Sequence, residues 1–425
     1  MRVLVLGSGG REHALVARLL ADPSVTVIAA PGNPGMARLV PVHPVDLRAP
    51  DSMLALAERE QIDLTVVGPE LPLSVGVADA FASAGRLLLG PTAAAAMLET
   101  SKAFAKAFMA RHAVPTARFH TADSVDDALA VVRSGAFGFP VVLKADGLAA
   151  GKGVVIAADL AAAEDAVRAA MTGGRFGAAG ERLVIEECLV GPEVSFFVLC
   201  DGTRALPIGT AQDHKRIFDD DEGPNTGGMG AFAPSPLMTD AVHAQVMREI
   251  VQPVIDGMAA EGHPFRGFLY VGLMLTASGP RVIEFNVRLG DPEAQVLLPR
   301  IAEPLAPLLA AAAHGELRTA PCALSDDPCV GVVLASRGYP ESAESGQAIR
   351  GIELAESTGV HVIHAGTAMQ GETLVTAGGR VLTVVGSGRS FPDAIARAYA
   401  GVHAIDFDGM QYRTDIGRKA LQSQG

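Results

Sequence analysis

The sequence predicts an α/β protein with three parts: an N-terminal parallel α/β sheet domain, a hairpin-rich central α+β region and a small C-terminal mixed α/β domain. Three observations lead there. Strand and helix patterns alternate through the first hundred residues, as a parallel sheet requires. Paired strand patterns joined by short turns fill the middle. From about residue 325 short strands return, with one long helical stretch.

The elements follow in order. "RVLVLG" (Arg2–Gly7) is a buried strand and "GREHALVARLLAD" a helix. "VTVIAAPGNPG" is a strand and then a loop, "DSMLALAEREQ" a helix and "DLTVVGPE" a strand. "LSVGVADAFASAG" is expected as one helix and "RLLLGPT" as a strand. The pieces "GSGG", "PGNPG", "GPE" and "GPT" fall at the carboxyl ends of these strands, where open parallel sheets bind ligands. A helical stretch, "SKAFAKAFMARH", leads to strands "PVVLKADG", "GVVIA" and "RLVIEECL", with the helix "LAAAEDAVRAAM" between the last two. "EVSFFVLCDG" and "TRALPIGTAQDHK" form a hairpin, followed by the glycine-rich loop "FDDDEGPNTGGMGAFAPSP". A helix near 239–261 precedes the hairpin "GFLYVGLMLTASGPRVIEFNVR", turning at Ala277-Ser278-Gly279. "CVGVVLAS", "HVIHAG" and "RVLTVVGSG" are strands and "SFPDAIARAYAGVHAI" a helix. The boundaries expected are 1–101, 102–320 with a flap subdomain at about 121–190, and 321–425.

Composition narrows the function. A chain of 425 residues with 49% hydrophobic and 19% charged residues has ample core for several domains. Its net charge of −13, without a long Lys/Arg run, argues against nucleic acid and anionic membrane surfaces. Cys188, Cys200, Cys322 and Cys329 have no metal-site spacing, so a reduced, cytoplasmic protein is expected. The opening "MRVLVLGSGGREH" reads as a first strand rather than a signal peptide, and no apolar run approaches the ~20 residues that span a bilayer.

The chemistry-bearing stretches begin with "VIEFNVRLGDPE" (Val282–Glu293). Side chains alternate faces along a strand. Ile283, Phe285 and Val287 are therefore expected in the core, with Glu284, Asn286 and Arg288 sharing the other face. An acid and an amide side by side are oxygen ligands of the kind Mg²⁺ takes. "GSGGRE" fails the dinucleotide fingerprint, because Glu12 stands where the third glycine belongs and the second strand ends without an acid. The loop is either a phosphate cradle or a tight turn. "ADGLAAGKGV" is not a Walker loop: three residues separate Gly147 from Gly151, and Gly153 replaces the Ser or Thr. Lying between two strands, it reads as a glycine flap carrying Lys152 (with Gly151 and Gly153 beside it) that can close over phosphates. Lys144 ends the preceding strand. The linker Glu186–Leu189 in "VIEECLVGPEVSF" can give an adenine ring a backbone donor and acceptor, with Glu193 for the ribose. "QDHKR" and "GPNTGGMG" read as a polar cluster and a loop whose backbone can approach a small ligand. His361 and His364, three apart on a strand, face opposite sides and are taken as structural. His13 and His214 remain possible polar contacts.

In this combination the chain resembles the ATP-grasp carboxylate–amine ligases, and among them the phosphoribosylamine–glycine ligase family. "VLGSGGREHAL", "PGNPG", "LKADGLAAGKGVV", "QDHKR", "GPNTGGMGAFAPSP" and "IEFNVRLGDPE" carry the resemblance in order along nearly the whole chain. It implies central ATP-grasp α+β domains. By position it implies that Lys102 and Lys144 bind ATP phosphates, that Glu186, Glu187 and Leu189 frame the adenine and that Glu193 holds the ribose. Glu284 and Asn286 would bind Mg²⁺ or Mn²⁺. Asp213, Arg288, Asp291, Gly227 and Gly228 would meet glycine or its acyl phosphate, with Arg288, Asp213 and Lys144 catalytic. Gly9, Gly10, Asn33 and Gly35 would meet 5-phosphoribosylamine, with Glu70 near its ribose hydroxyls. The strand "GFLYVGLMLT" lacks the second metal carboxylate many ATP-grasp enzymes carry there.

The resemblance implies ATP-dependent ligation of glycine to 5-phosphoribosylamine through glycyl phosphate, by a monomer or weak dimer. The alternatives are an ATP-grasp ligase with another acceptor and a non-catalytic ATP-binding sensor.

Overall fold

Four parallel strands begin the chain: β1 (Arg2–Gly7), β2 (Thr26–Pro31), β3 (Leu64–Val67) and β4 (Leu88–Leu89), in the order β2-β1-β3-β4. The structure, a computed structural model, describes residues 1–147, 153–172 and 180–422. Val3 of β1 pairs with Val27 and Leu64. Alternate residues of β1 enter different cores: Val3 and Val5 join Phe197 and Leu199, while Leu4 and Leu6 join Phe196 and Val198. That explains the unbroken apolar run, because a strand covered on both faces has no polar side. The stretch expected as one helix is two, Glu70–Ser74 and Val77–Ser83. Gly76 between them has φ 86°, a left-handed conformation that interrupts a right-handed helix.

The next unit is a four-stranded antiparallel sheet of β5 (Phe119–Ala122), β6 (Val141–Ala145), β7 (Val154–Ala157) and β8 (Leu183–Glu187), ordered β5-β8-β6-β7. Helices Val125–Ser134 and Leu160–Met171 pack Leu129, Val132 and Val167 against Leu143 and Ile185 of this sheet. β6 and β7 form the expected hairpin. Two residues assigned to its flap, Gly151 and Lys152, lie outside the described residues.

The largest sheet is built from β9 (Glu193–Asp201), β10 (Ala205–Asp213), β13 (Gly230–Ala233), β14 (Arg266–Thr276) and β15 (Gly279–Asn286), continued by β16 (Cys329–Ala335), β17 (His361–His364) and β20 (Arg380–Ser387). Its order is β15-β14-β9-β10-β13-β16-β20-β17. One sheet thus carries strands of both the central and the C-terminal thirds of the chain. Two ribbons stand apart from it, β11 (Arg216–Phe218) with β12 (Glu222–Asn225), and β18 (Thr367–Gln370) with β19 (Thr373–Thr376). The helical stretch over 239–261 forms, running from Asp240 to Ala260 with a π-helical turn at Met247–Val251.

β15 holds the main departure from the expected pattern. Gly272 pairs with Glu284 and Leu273 with Val282, so Ile283 is an extra residue with no partner on β14. Such a bulge bends its strand and shifts the alternation by one. Val282, Phe285 and Val287 therefore occupy the core, and Ile283 is left out of it, against expectation. Glu284, Asn286 and Arg288 still alternate with the core residues beyond the bulge.

Candidate active site

Ile283 and Glu284 line a narrow cavity with Glu193, Ser195, Asp213, Lys215 and Tyr270. The bulge also turns the Ile283 carbonyl outward, where it accepts a hydrogen bond from Lys144 Nζ at 3.0 Å. Lys144 is buried and pairs with Glu186 at 3.0 Å. Lys106 reaches the other oxygen of Glu186, also at 3.0 Å, and donates to Thr116 Oγ1 at 2.7 Å. Two ammonium groups thus share one buried carboxylate. Burial pushes the Lys106 ammonium down to about 8, and Glu186 only partly restores it. Lys102 Nζ donates to the Gly147 carbonyl at 2.9 Å, and burial lowers its pKa too. Lys106 and Lys144 therefore meet at Glu186, and Lys102 lies just beyond the end of β6.

Glu186 and Glu187 end β8 and point to opposite faces. Glu187 accepts from Arg118, from the backbone N–H at 2.9 Å and from Nε at 2.7 Å. The Glu186 carboxylate is taken up by Lys106 and Lys144, while its backbone belongs to the linker that runs on to Leu189. Leu189 follows, half-buried. Glu193, exposed at the start of β9, forms an ion pair with Lys215. Gly153 is buried just before β7.

Asp213 ends β10, and Lys215 follows on the same side. Desolvation opposes the charge of Lys215, yet Asp213, Glu193 and Glu284 outweigh it and hold the ammonium well above its ordinary value. Desolvation raises the Asp213 pKa. It also opposes the charge of Glu284, but Lys215, Lys144 and Lys102 hold that carboxyl below the usual range. An ionised Glu284 beside the nine-tenths-buried Asn286 is an oxygen donor pair. Among the described residues no group of three or more His, Cys, Asp or Glu side chains could hold a metal by itself. The pair fits Mg²⁺, which takes one or two carboxylates and completes its shell with phosphate and water.

In the cavity wall Ser195 Oγ donates to Tyr270 at 2.9 Å and lies 3.4 Å from Glu293. Burial pushes the Glu293 carboxyl up to about 7, with Asp213 adding to the effect.

Arg288 leads from the cavity toward the N-terminal sheet. Its Nη2 donates to Glu99 at 2.7 Å and its Nε to Glu70 at 3.3 Å. Asp291 accepts from Gln295 at 2.7 Å and pairs with Arg380 at 3.2 Å. Arg380, on β20, also donates to the carbonyls of Gly227 and Asp291, at 2.6 Å each. A C-terminal strand therefore pins the Gly227–Gly228 loop against Asp291.

Gly9 and Gly10 face this junction. A Cβ on Gly10 would lie 2.6 Å from Gln295 Nε2 and 3.6 Å from Asp291. The Gly9 N–H donates to Glu12 Oε2 at 2.6 Å, and Arg11 Nε donates to Oε1 at 2.5 Å. Glu12 also fills the space beside Gly7 and Gly68. The side chain at the missing third glycine thus closes the loop that a dinucleotide would need. The Asn33 amide is heavily used: Oδ1 accepts from Met36, and Nδ2 donates to the carbonyls of Ser8 and His364. Gly35 backs onto His13 and His364.

The histidines divide as expected on β17, His361 exposed and His364 buried. His13 Nδ1 accepts the His364 N–H at 2.8 Å, and burial pushes His13 down to about 3. His214 turns into the core beside Phe232, 5.9 Å between ring centres, and burial lowers it to about 3. Sequence reasoning missed Lys106, Glu99, Lys215, Glu293 and Arg380. Lys106 had a signal, lying one helical turn from Lys102. Glu99 and Arg380 had none, since their partners are distant in the chain.

Comparison with known proteins agrees with this layout. The phosphoribosylglycinamide synthetase N domain matches residues 1–99, its ATP-grasp (A) domain residues 100–294 and its C domain residues 329–419. A phosphoribosylamine–glycine ligase of Xanthomonas axonopodis pv. citri is 52% identical over 435 residues, covering 100% of each chain. The crystal structure of the Thermotoga maritima phosphoribosylamine–glycine ligase superposes with a TM-score of 0.87 at 33% identity, covering 98% of this chain and 100% of that one. The biotin carboxylase domain of Hydrogenobacter thermophilus 2-oxoglutarate carboxylase, solved with MgADP, ADP and bicarbonate, shares the fold (TM-score 0.72, 16% identity, 97% and 91% covered). Matched over all three of its domains and at half identity to its relatives, the chain belongs to the phosphoribosylglycinamide synthetase family of ATP-grasp ligases.

Proposed function

We propose that the cavity lined by Asp213, Lys215 and Glu284 joins glycine to 5-phosphoribosylamine at the expense of ATP, giving glycinamide ribonucleotide, ADP and phosphate. This is a carbon–nitrogen ligation of purine biosynthesis. One arrangement supports the reading above all: Asp213, Lys215 and Glu284 line one cavity with Ile283, whose carbonyl accepts from Lys144.

A carboxylate is a poor electrophile. A glycine oxygen attacks the γ-phosphorus, an O–P bond forms, and ADP leaves with the electron pair. The amine nitrogen then attacks the carbonyl carbon, and the C–O bond to phosphate breaks. Phosphate departs with those electrons while a nitrogen proton passes to a nearby base. Little covalent help is required; positioning and charge neutralisation carry the catalysis. Lys102, Lys144 and the flap residues Gly151, Lys152 and Gly153 would bind the phosphates. Glu186, Glu187, Leu189 and Glu193 would meet adenine and ribose, with the Glu186 carboxylate also holding Lys144 in place. Asp213, Gly227, Gly228, Arg288 and Asp291 would bind glycine and its acyl phosphate. Gly9, Gly10, Asn33 and Gly35 would meet the phosphoribosyl group, with Glu70 near its ribose hydroxyls. A Mg²⁺ or Mn²⁺ ion on Glu284 and Asn286 would neutralise the triphosphate and the leaving ADP.

The reading also places the enzyme in the cytoplasm as a monomer or weak dimer, without nucleic-acid or membrane partners. The net charge of −13 supports this, and no helix among the described residues is long and apolar enough to cross a membrane. The test is ADP release with Mg-ATP, glycine and freshly generated 5-phosphoribosylamine, each omitted in turn. Release that needs all three, with one glycinamide ribonucleotide per ADP, is expected. Release indifferent to glycine would refute the ligation.

A further inference from the structure

Arg288 is gripped unequally by its two carboxylates. Glu99 is buried, its side chain 7% exposed, and holds Nη2 at 2.7 Å; Glu70 is 34% exposed and holds Nε at 3.3 Å. Glu99 makes a second bond from the same carboxylate. Its Oε2 accepts the Val287 backbone N–H at 2.8 Å. Val287 stands between Asn286 and Arg288 and immediately follows the end of β15. There the backbone leaves the sheet, so its N–H has no ladder partner and needs one. Glu99 comes from the helix Ala93–Thr100, nearly two hundred residues earlier in the chain, so no local pattern links the two.

We propose that Glu99 is a positioning residue for the ligation: it fixes the Arg288 guanidinium and the Val287 N–H together, setting the angle of Arg288 relative to Asn286. Glu70 is then the exchangeable partner, which the amine substrate can take without releasing Arg288. The proposal rests on the ligase reading for its kinetic consequences and on geometry alone for the Arg288 contact. A charge-assisted hydrogen bond between an arginine and a carboxylate is sensitive to loss of the carboxylate's charge. Glu99→Gln keeps an acceptor for Val287 and removes the charge facing Arg288.

The experiment has a kinetic and a spectroscopic arm. Glu99→Gln is expected to lower kcat for glycine-dependent ADP release by 10- to 100-fold while Mg-ATP affinity stays within twofold. In an Arg288→Gln background the same change should cost less than twofold, since contacting residues in one network are non-additive. Equal losses in both backgrounds, or a wild-type rate for Glu99→Gln, overturn the proposal. The second arm observes the arginine guanidinium ¹⁵N signals of the full chain, with Arg288 assigned through Arg288→Lys. Hindered rotation of Arg288 in the wild type and free rotation in Glu99→Gln are expected; unchanged hindrance overturns the proposal even if the wild type ligates no glycine. Glu99→Asp, which retains the charge one methylene short, substitutes if Glu99→Gln does not fold, with an intermediate loss expected and none overturning the idea.

Discussion

Lys106 and Glu186 meet 3.0 Å apart in the interior, and the second oxygen of Glu186 holds Lys144 at the same distance. Removing the shared carboxylate leaves two buried ammonium groups without their nearest counter-charge. Breaking a buried pair in this way costs about 3–5 kcal/mol. Glu186→Ala should therefore lower the urea midpoint substantially. Glu186→Ala paired with Lys106→Met should recover part of the loss, because one uncompensated charge goes with it. A double variant no more stable than the single one would show that Lys106 does not depend on Glu186.

Glu284 lies among Lys215, Lys144 and Lys102 and is held ionised by them. Glu284→Gln should remove most turnover, by about 10²-fold or more if one charged oxygen of the phosphate site contributes about 2.7 kcal/mol to the transition state. Circular dichroism should remain native. Titration with Mn²⁺ in the presence of ATP should show weakened binding. A variant with unaltered Mn²⁺ affinity would exclude Glu284 from the metal site.

Glu293 predicts a pH effect on stability. Its folded pKa, near 7, lies above the ordinary carboxyl value of 4.5. The folded state therefore binds the extra proton more tightly than the unfolded chain does. That stabilisation is full below about pH 4.5 and is lost as pH rises through 7. Glu293→Gln mimics the protonated form and should gain on the wild type between pH 6 and 8, by on the order of 1–3 kcal/mol, one to two pKa units at about 1.36 kcal/mol each. Denaturant midpoints across pH 5–8 would measure it. A constant difference over that range would rule out titration of Glu293.

His13 and His364 predict the opposite slope. Burial lowers them to about 3 and about 4, from an ordinary 6.5. Both are neutral in the folded state, so their contribution is complete above pH 6.5 and falls as pH drops toward 4. His13→Gln should flatten the loss of stability between pH 6.5 and 4 in the same denaturant series. An unaltered slope would show that His13 is already charged in the folded protein.

Gly35 tests the fit of the N-terminal loop. A Cβ there would lie 2.5 Å from His13 and from His364. Gly35→Ala should cost about 1–3 kcal/mol by overpacking a contact between the first and last thirds of the chain. Thermal unfolding would report a lower Tm. An unchanged Tm would mean that the two rings move aside freely.

Much of this architecture was legible in the sequence because its signals are local. Hydrophobic period separated strands from helices, glycine and proline marked turns, and "EFNVRLGDPE" exposed an acid, an amide and an arginine on one strand face. Gly76 was misread, since a single glycine inside a helical pattern does not declare its φ. The core position of Ile283 was misread because alternation assumes an unbroken pleat, and a bulge is invisible until β14 supplies the partner strand.

By itself the sequence determined the α/β class, the order of the elements, the failed dinucleotide and Walker patterns and the ATP-grasp resemblance. Each depends on residues close in the chain or on motifs read in order. Only the tertiary structure decided that Lys144 binds the Ile283 carbonyl, that Glu186 is shared by two lysines and that Arg380 reaches Asp291 from the C-terminal third. It alone decided that Glu99 supports Arg288. Those partners stand tens to hundreds of residues apart, and they meet because burial in a common core brings the strands together. Once there, a charge removed from water must find its counter-charge wherever the fold supplies one.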